Sequence, residues 1–192
     1  MDELLKSARH LARMWQEMVI SAGDAVIDAT MGNGHDALAL CRLVGDTGHV
    51  HAFDVQQEAL TATRQRLKEA GLLSCCTLHH MGHERMAEVV AAPVRAVVFN
   101  LGWLPGGSRE ITTGWETTKA ALCAALSLLQ AGGIVTICAY PGHERGIEEL
   151  VGLTAYLRQL PPQQYNVLHQ RFVNAGQSAP ECFVIERIGD TI

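Results

Sequence analysis

Short apolar runs alternate with amphipathic stretches along most of this chain. Ala25–Thr30, Gly48–Asp54, Cys75–His80, Arg95–Asn100 and Ile134–Tyr140 have the length and apolar content of buried strands. Between them, His35–Leu43, Gln56–Ala70, Glu84–Ala91, Thr117–Gln130 and Gly142–Arg158 read as helices, and residues 3–20 form an amphipathic helix ahead of the first strand. Gly71 stops the helix before it, and Gly132–Gly133 close the Ala/Leu-rich helix. Such alternation predicts a parallel sheet with helical crossovers. Pro161–Pro162 break the pattern, and two further strands follow, Tyr165–Phe172 and Cys182–Arg187. The turn-like stretch VNAGQSAPE between them is too short for a parallel crossover, so these strands are expected to be antiparallel.

The resulting expectation is a doubly wound, seven-stranded, mostly parallel α/β sheet with a C-terminal antiparallel hairpin. One domain over 1–192 is divided into an N-terminal helix (1–20), a βα core (21–158) and terminal strands (159–192). This is the Rossmann-like layout of class I methyltransferases, whereas a plain nucleotide-binding fold usually continues with parallel strands.

Bulk properties narrow the setting. The 192 residues, 48% hydrophobic and 18% charged, suit one soluble core. No apolar run reaches the roughly 20 residues of a membrane span, and the mixed charge of the first 13 residues does not resemble a signal peptide. A cytoplasmic location away from membranes is expected. The six cysteines form no CxxC pair and read as small buried hydrophobes in a reducing compartment. A net charge of −5 without a long basic run argues against a broad grip on nucleic acid and against DNA. It leaves room for a local basic face that meets RNA, and for a homodimer.

The first glycine loop carries the first chemistry. In Asp28-Ala-Thr-Met-Gly-Asn-Gly-His-Asp36, Gly32 and Gly34 allow a tight turn and close ligand approach. The spacing also fits a dinucleotide fingerprint. Asp28 decides between the two: a carboxylate there repels a pyrophosphate and attracts the sulfonium and ammonium of S-adenosylmethionine. Asp54 ends the second strand, where an acid accepts from ribose hydroxyls or caps the following turn. His79 and His80 point to opposite faces by strand alternation, so no shared metal ion is expected. His83 falls where this fold places adenine contacts. The cofactor-facing set is then Asp28, Thr30, Gly32, Asn33, Gly34, Asp36, Asp54, Gln56, His83 and Asn100.

The second constellation is Phe99-Asn100-Leu101-Gly102-Trp103-Leu104-Pro105-Gly106-Gly107, at the end of the fourth strand. Ligands in such sheets bind at the carboxyl ends of strands near the switch point, so Asn100 faces the methyl donor and its side-chain oxygen can accept from an amine. Trp103 offers a stacking surface for a base. Trp103, Pro105, Gly106, Arg109 and Thr112 form the expected acceptor side, and His143 the expected proton acceptor or orienter beside Asn100 and Trp103. The acceptor amine must be neutral to attack, and a desolvated pocket favours that form. An RNA amine methyltransferase, a small-molecule methyltransferase and a noncatalytic nucleotide-binding module all remain open at this point; the elaborate 99–113 loop weighs against the last.

The motifs DATMGNGHD at 28–36, GHE at 82–84, FNLGWLPGG at 99–107, ITT at 111–113 and YPGHERGIEE at 140–149, with Asn174 and Ala179-Pro180, resemble one family across nearly the whole chain. It is the small bacterial rRNA methylase family typified by YtqB and including MnmM, a tRNA wobble-uridine methyltransferase. Trp103 stands where that family usually has Tyr, and Ser108 where it has an acid. The resemblance implies S-adenosylmethionine as cofactor and, as substrate, the primary amine of 5-aminomethyluridine, often 2-thiolated, in a tRNA anticodon loop.

Overall fold

Each strand of the sheet is short and apolar, and each turns its alternate residues to opposite layers. In the computed structural model, which describes residues 5–91, 93–107 and 110–189, the strands are β1 (Ala25–Asp28), β2 (His49–Asp54), β3 (Cys76–His80), β4 (Val94–Asn100), β5 (Leu129–Ala139), β6 (Tyr165–Gln170) and β7 (Glu181–Arg187). They form a single sheet in the order β3-β2-β1-β4-β5-β7-β6. The first five are parallel, and β7 runs antiparallel to both β5 and β6, as the short connection requires. Seven strands, mostly parallel with an antiparallel end, are the fold expected from the sequence.

The helices are α1 (Ala8–Val19), α2 (His35–Val44), α3 (Gln57–Glu69), α4 (Trp115–Leu128) and α5 (Glu144–Leu157). Val26, Val50, Ala96 and Val98 pack under α1, α2 and α3 on one face. Ile27, Phe53, Val97, Phe99 and Ile137 pack against α4 and α5 on the other. The fully buried Phe53, Phe99, Leu122 and Ile185 anchor this second layer; each large apolar side chain so buried contributes about 1.5–3 kcal/mol of transfer free energy.

Several boundaries shift for identifiable reasons. Helix α1 starts at Ala8 because Ser7 caps it, its hydroxyl accepting from His10 N. Helix α5 starts at Glu144 because His143 is its cap. The expected helix after β3 is a 3₁₀ segment, His83–Glu88. Gly132–Gly133 do not end α4, which stops at Leu128; they lie inside β5, beside a register shift at Val94/Ala96 of β4. A Cβ on Gly133 would sit 2.7 Å from Arg95 O, so the pair serves close backbone approach at an irregular ladder. Five cysteines are buried and Cys123 is exposed. Among the described residues no helix is long and apolar enough to cross a membrane.

Candidate functional site

Because β1 and β4 are neighbours, the chain reverses its direction of winding between them, and the loops at their carboxyl ends diverge. A cleft of about 730 Å³ opens there, lined by the β1–α2, β2–α3 and β4–α4 loops, with Arg9 and Tyr140 at its side.

The glycine loop is a tethered turn. Gly32 and Gly34 adopt φ +49° and +75°, and a Cβ on Gly34 would meet Thr63 Cα at 2.8 Å, so glycine is required there on both counts. Gly32 N donates to Asp54 Oδ2 at 3.0 Å, Thr63 Oγ1 donates to Gly32 O at 2.9 Å, and Arg66 Nε donates to Asn33 O at 2.7 Å. Asp54 therefore does two jobs, since its Oδ1 also accepts Gln56 N at 3.0 Å. Both Asp54 and Gln56 line the cleft. Burial pushes the Asp54 carboxyl upward, against the pull of the surrounding backbone N–H groups.

Asp28 lies deeper than expected. It is fully buried and is not among the residues lining the cleft; it sits beneath Ala29 and Thr30. Its Oδ1 accepts Thr30 N at 3.2 Å, while Oδ2 has no hydrogen-bond partner among the described residues. Burial, then the neighbouring Asp36 carboxylate, pushes its pKa up to about 8. The sequence suggests a bare carboxylate facing the ligand; instead the group lies beneath the cleft, where burial and Asp36 favour its protonated form.

Asp36, on the first turn of α2, organises the other side. Its Oδ1 accepts Arg9 Nη2 at 2.9 Å and Arg13 Nη2 at 3.1 Å, and its Oδ2 accepts Asn100 Nδ2 at 2.5 Å. Asn100 N also donates to Thr30 Oγ1 at 2.7 Å. With its amide nitrogen held by Asp36, Asn100 presents Oδ1 as a buried acceptor without a partner among the described residues. His83 is buried against Phe99, with Nδ1 3.1 Å from Ala29 O, and burial lowers its pKa. As a neutral ring donating from Nδ1 to that carbonyl, it keeps Nε2 as an acceptor.

The acceptor loop closes on itself through an antiparallel bridge between Trp103 and Thr112. Trp103 and Thr112 line the cleft, as does Pro105, whose carbonyl accepts Asn33 Nδ2 at 3.2 Å. Gly106 makes the exposed turn at φ +85°. Arg109 and Ser108 lie outside the described residues.

His143 is placed differently from expectation. It is not among the residues lining the cleft. Its Nδ1 accepts Gly146 N at 3.1 Å. The ring packs 4.7 Å from Trp103, centroid to centroid. It caps α5 and packs against Trp103. Glu149 of α5 closes the motif YPGHERGIEE, but the sequence assigns it no role. This carboxylate is 2% exposed and accepts from Thr113 Oγ1 at 2.9 Å and Thr118 Oγ1 at 2.5 Å. Both threonines sit at or near motifs visible in the sequence, but nothing in the spacing joins them to a glutamate 36 and 31 positions away.

The cleft is rich in acceptors and carboxylates: Asp36, Asp54 and the side-chain oxygen of Asn100, with Asp28 buried beneath it. It suits a ligand that brings N–H donors and positive charge, and it repels a pyrophosphate.

Comparison with known proteins agrees. The family described as "Putative rRNA methylase" matches residues 50–186. The chain is 38% identical over 192 residues to the chloroplastic tRNA (mnm5s2U34)-methyltransferase of Arabidopsis thaliana, covering 95% of this chain and 70% of that protein. A Clostridium thermocellum structure of the same description as the family superposes with a TM-score of 0.95 at 36% identity, over 97% of this chain and 100% of the other. A Streptococcus mutans methyltransferase in complex with SAH superposes with a TM-score of 0.88 at 32% identity, over 96% and 100%. Agreement of this extent, in sequence and in backbone alike, makes the chain a member of the rRNA methylase family, with the class I methyltransferase fold.

Proposed function

We propose that this methyltransferase transfers a methyl group from S-adenosylmethionine to the amine of 5-aminomethyluridine, with or without a 2-thio group, at the wobble position of a tRNA. The observation that carries the reading is Asn100: a buried amide oxygen with no partner among the described residues, aimed by Asp36, beside Trp103 in an acceptor-rich cleft. The Arabidopsis relative, named for a wobble uridine bearing a methylaminomethyl group, supports the same acceptor.

The residues divide the work. Asp54 and Gln56 at the end of β2 suit ribose hydroxyls, His83 suits adenine, and the carboxylate floor suits an ammonium and a sulfonium. S-adenosylmethionine, when bound, supplies an electrophilic methyl carbon on positively charged sulfur. Asn100 Oδ1 accepts an N–H of the acceptor amine and points the nitrogen lone pair toward that carbon. Trp103 stacks on the extruded base. The apolar wall of Phe53, Leu101 and Leu104 excludes water and disfavours the ammonium form of the substrate. The nitrogen–carbon bond forms as the carbon–sulfur bond breaks, and the proton of the alkylated amine leaves to solvent. Most of the acceleration comes from proximity and orientation. One domain acting on the anticodon loop through a few phosphate contacts, in the cytoplasm, completes the proposal; Arg9, Arg13 and Arg145 are the rim cations, and pairing of two copies is compatible with it.

The test is methyl transfer by the purified protein to tRNA bearing 5-aminomethyl-2-thiouridine, read by nucleoside mass spectrometry. The wobble nucleoside gains one methyl group, and Asn100→Ala abolishes most of the turnover while donor affinity stays within about threefold. Near-normal turnover by Asn100→Ala would end its assignment. Methylation of the free nucleoside as readily as of tRNA would favour a small-molecule substrate.

A further inference from the structure

The acceptor loop returns to the body of the protein through one hydroxyl. Thr113 Oγ1 accepts Gly102 N at 2.8 Å and donates its single proton to Glu149 Oε2 at 2.9 Å. Thr113 N donates to Gly102 O at 3.0 Å, and the adjoining residues Trp103 and Thr112 make the antiparallel bridge. Glu149 is thus the outer anchor of a chain that ends on the backbone of Gly102, two residues after Asn100 and one before Trp103. Its second oxygen is held by Thr118 on the first turns of α4, so the same carboxylate ties α4, α5 and the neck of the loop together.

This carboxylate is costly to bury. It is 2% exposed, no ion pair among the described residues involves it, and burial raises its pKa against the pull of the two threonine hydroxyls. A buried charge of this kind adds little to stability, since an apolar residue would pack the same space. What it supplies is directionality. A carboxylate only accepts, so it fixes the Thr113 proton toward α5, which fixes the Thr113 lone pairs toward Gly102 N. Gly102 itself has φ +125°, a conformation favoured by glycine; the Thr113 hydroxyl holds the Leu101–Gly102 peptide by its N–H, and Thr113 N holds the following Gly102–Trp103 peptide by its carbonyl.

We infer that Glu149, acting through Thr113, is a positioning residue that sets Trp103 and the neck of the acceptor loop against Asn100 for methyl transfer. The inference rests on the proposed methyltransferase reading. It concerns the acceptor side only: the chain of bonds ends at Gly102 and does not reach the glycine loop.

Thr113→Val removes the relay and keeps the shape; Thr113→Ser restores the hydroxyl; Glu149→Gln keeps volume but replaces an obligate acceptor with a mixed amide. Two measurements are made on the full chain. The first is hydrogen exchange of the peptide spanning 101–113, without any ligand. The second is steady-state turnover of tRNA bearing 5-aminomethyl-2-thiouridine, with donor affinity by calorimetry. In Thr113→Val, exchange in 101–113 rises about fivefold or more, as loss of one hydrogen bond implies. Its kcat falls about tenfold to a hundredfold, as misplacement by an ångström can produce, and donor affinity stays within about threefold. Thr113→Ser behaves as the parent, and Glu149→Gln shifts both readouts in the direction of Thr113→Val. Parental exchange and kcat in both Thr113→Val and Glu149→Gln overturn the inference. So does failure of Thr113→Ser to rescue, or a fall in donor affinity as large as the fall in kcat. If the parent protein does not methylate tRNA at all, the function proposed above falls, and the exchange data still decide whether Glu149 and Thr113 hold the loop.

Discussion

Replacing Asp36 by asparagine tests the site at its most constrained point. The side chain keeps its size, but one of its two acceptors becomes a donor. In the parent, Oδ1 faces two guanidinium groups and Oδ2 faces the Asn100 amide nitrogen, so every neighbour is a donor. The introduced amide has two ways to sit, and each leaves a clash. If its NH₂ faces the arginines, two donor pairs oppose each other and α1 loses its tie to α2. If its NH₂ faces Asn100, the Asn100 amide must turn over, which puts an N–H where the proposed mechanism needs an acceptor for the substrate amine. The arginine pairs are partly exposed, with side-chain exposures of 47% and 32%, so they count for at most about 0.5 kcal/mol each. The shielded bond from Asn100 to a carboxylate counts for about 1.5–3 kcal/mol. A loss of about 2–3 kcal/mol lowers the melting temperature by roughly 4–12 °C for a chain of this size. Turnover should fall about tenfold to a hundredfold, which is roughly 1.4–2.8 kcal/mol of transition-state stabilisation. The assay pairs calorimetric melting with kcat/KM for tRNA at a temperature well below both transitions. A variant that melts early but turns over normally would show that Asp36 ties helices together and does not aim Asn100.

The remaining predictions follow from the same geometry. Asp28 has a pKa raised to about 8 from 3.8, so the folded protein holds a proton there that the unfolded chain releases. The stability this contributes is complete below pH about 4 and lost as pH rises through 8; Asp28→Asn should therefore flatten the decline in melting temperature over that window, and an unchanged slope would remove Asp28 from the titration. The same substitution should weaken donor binding, and calorimetry showing equal affinity would place Asp28 outside the cofactor site. Trp103→Ala should cost about 1–3 kcal/mol in tRNA binding or turnover while leaving the salt dependence of binding nearly unchanged; a shallower slope would mean that Trp103 holds a phosphate contact in place. Gly34→Ala forces a side chain into the left-handed region at φ +75° and into Thr63, and should lose at least about 1–2 kcal/mol of stability together with donor affinity by about that measure; a fully stable variant with normal donor affinity would contradict the tethered-turn geometry.

What could be read from the sequence was what local periodicity and motif position determine. Strands and crossover helices declare themselves by period, and the short stretch VNAGQSAPE between the last two strands leaves no room for a crossover. Gly132–Gly133 misled because a glycine pair after an apolar helix has the pattern of a stop, whereas here it relieves a crowded point inside β5. Asp28 was correctly placed on the chain but not in depth, since the register that sets it opposite Ala52 and Val98, under the loop, is a property of the assembled sheet. His143 stands next to the cleft in sequence, yet the bond from Gly146 N commits it to capping. The ties that aim Asn100 and hold the acceptor loop join positions 23 to 64 residues apart, Asp36 with Arg9, Arg13 and Asn100, and Glu149 with Thr113. No spacing rule reaches that far.

The tethering of the glycine loop has a consequence for how fast the donor is captured. One amide and two carbonyls of a short turn are bonded to Asp54, Thr63 and Arg66, so the protein's own bonds fix the shape of the turn. Capture of the donor then involves little ordering of backbone and is governed by encounter, not by folding of the loop. Loosening the tether at Thr63 or Arg66, neither of which lines the cleft, should leave the occupied state nearly intact and slow the approach to it. Helix α3, which carries both tethers, would in this way set the pace at which the enzyme reloads between turnovers.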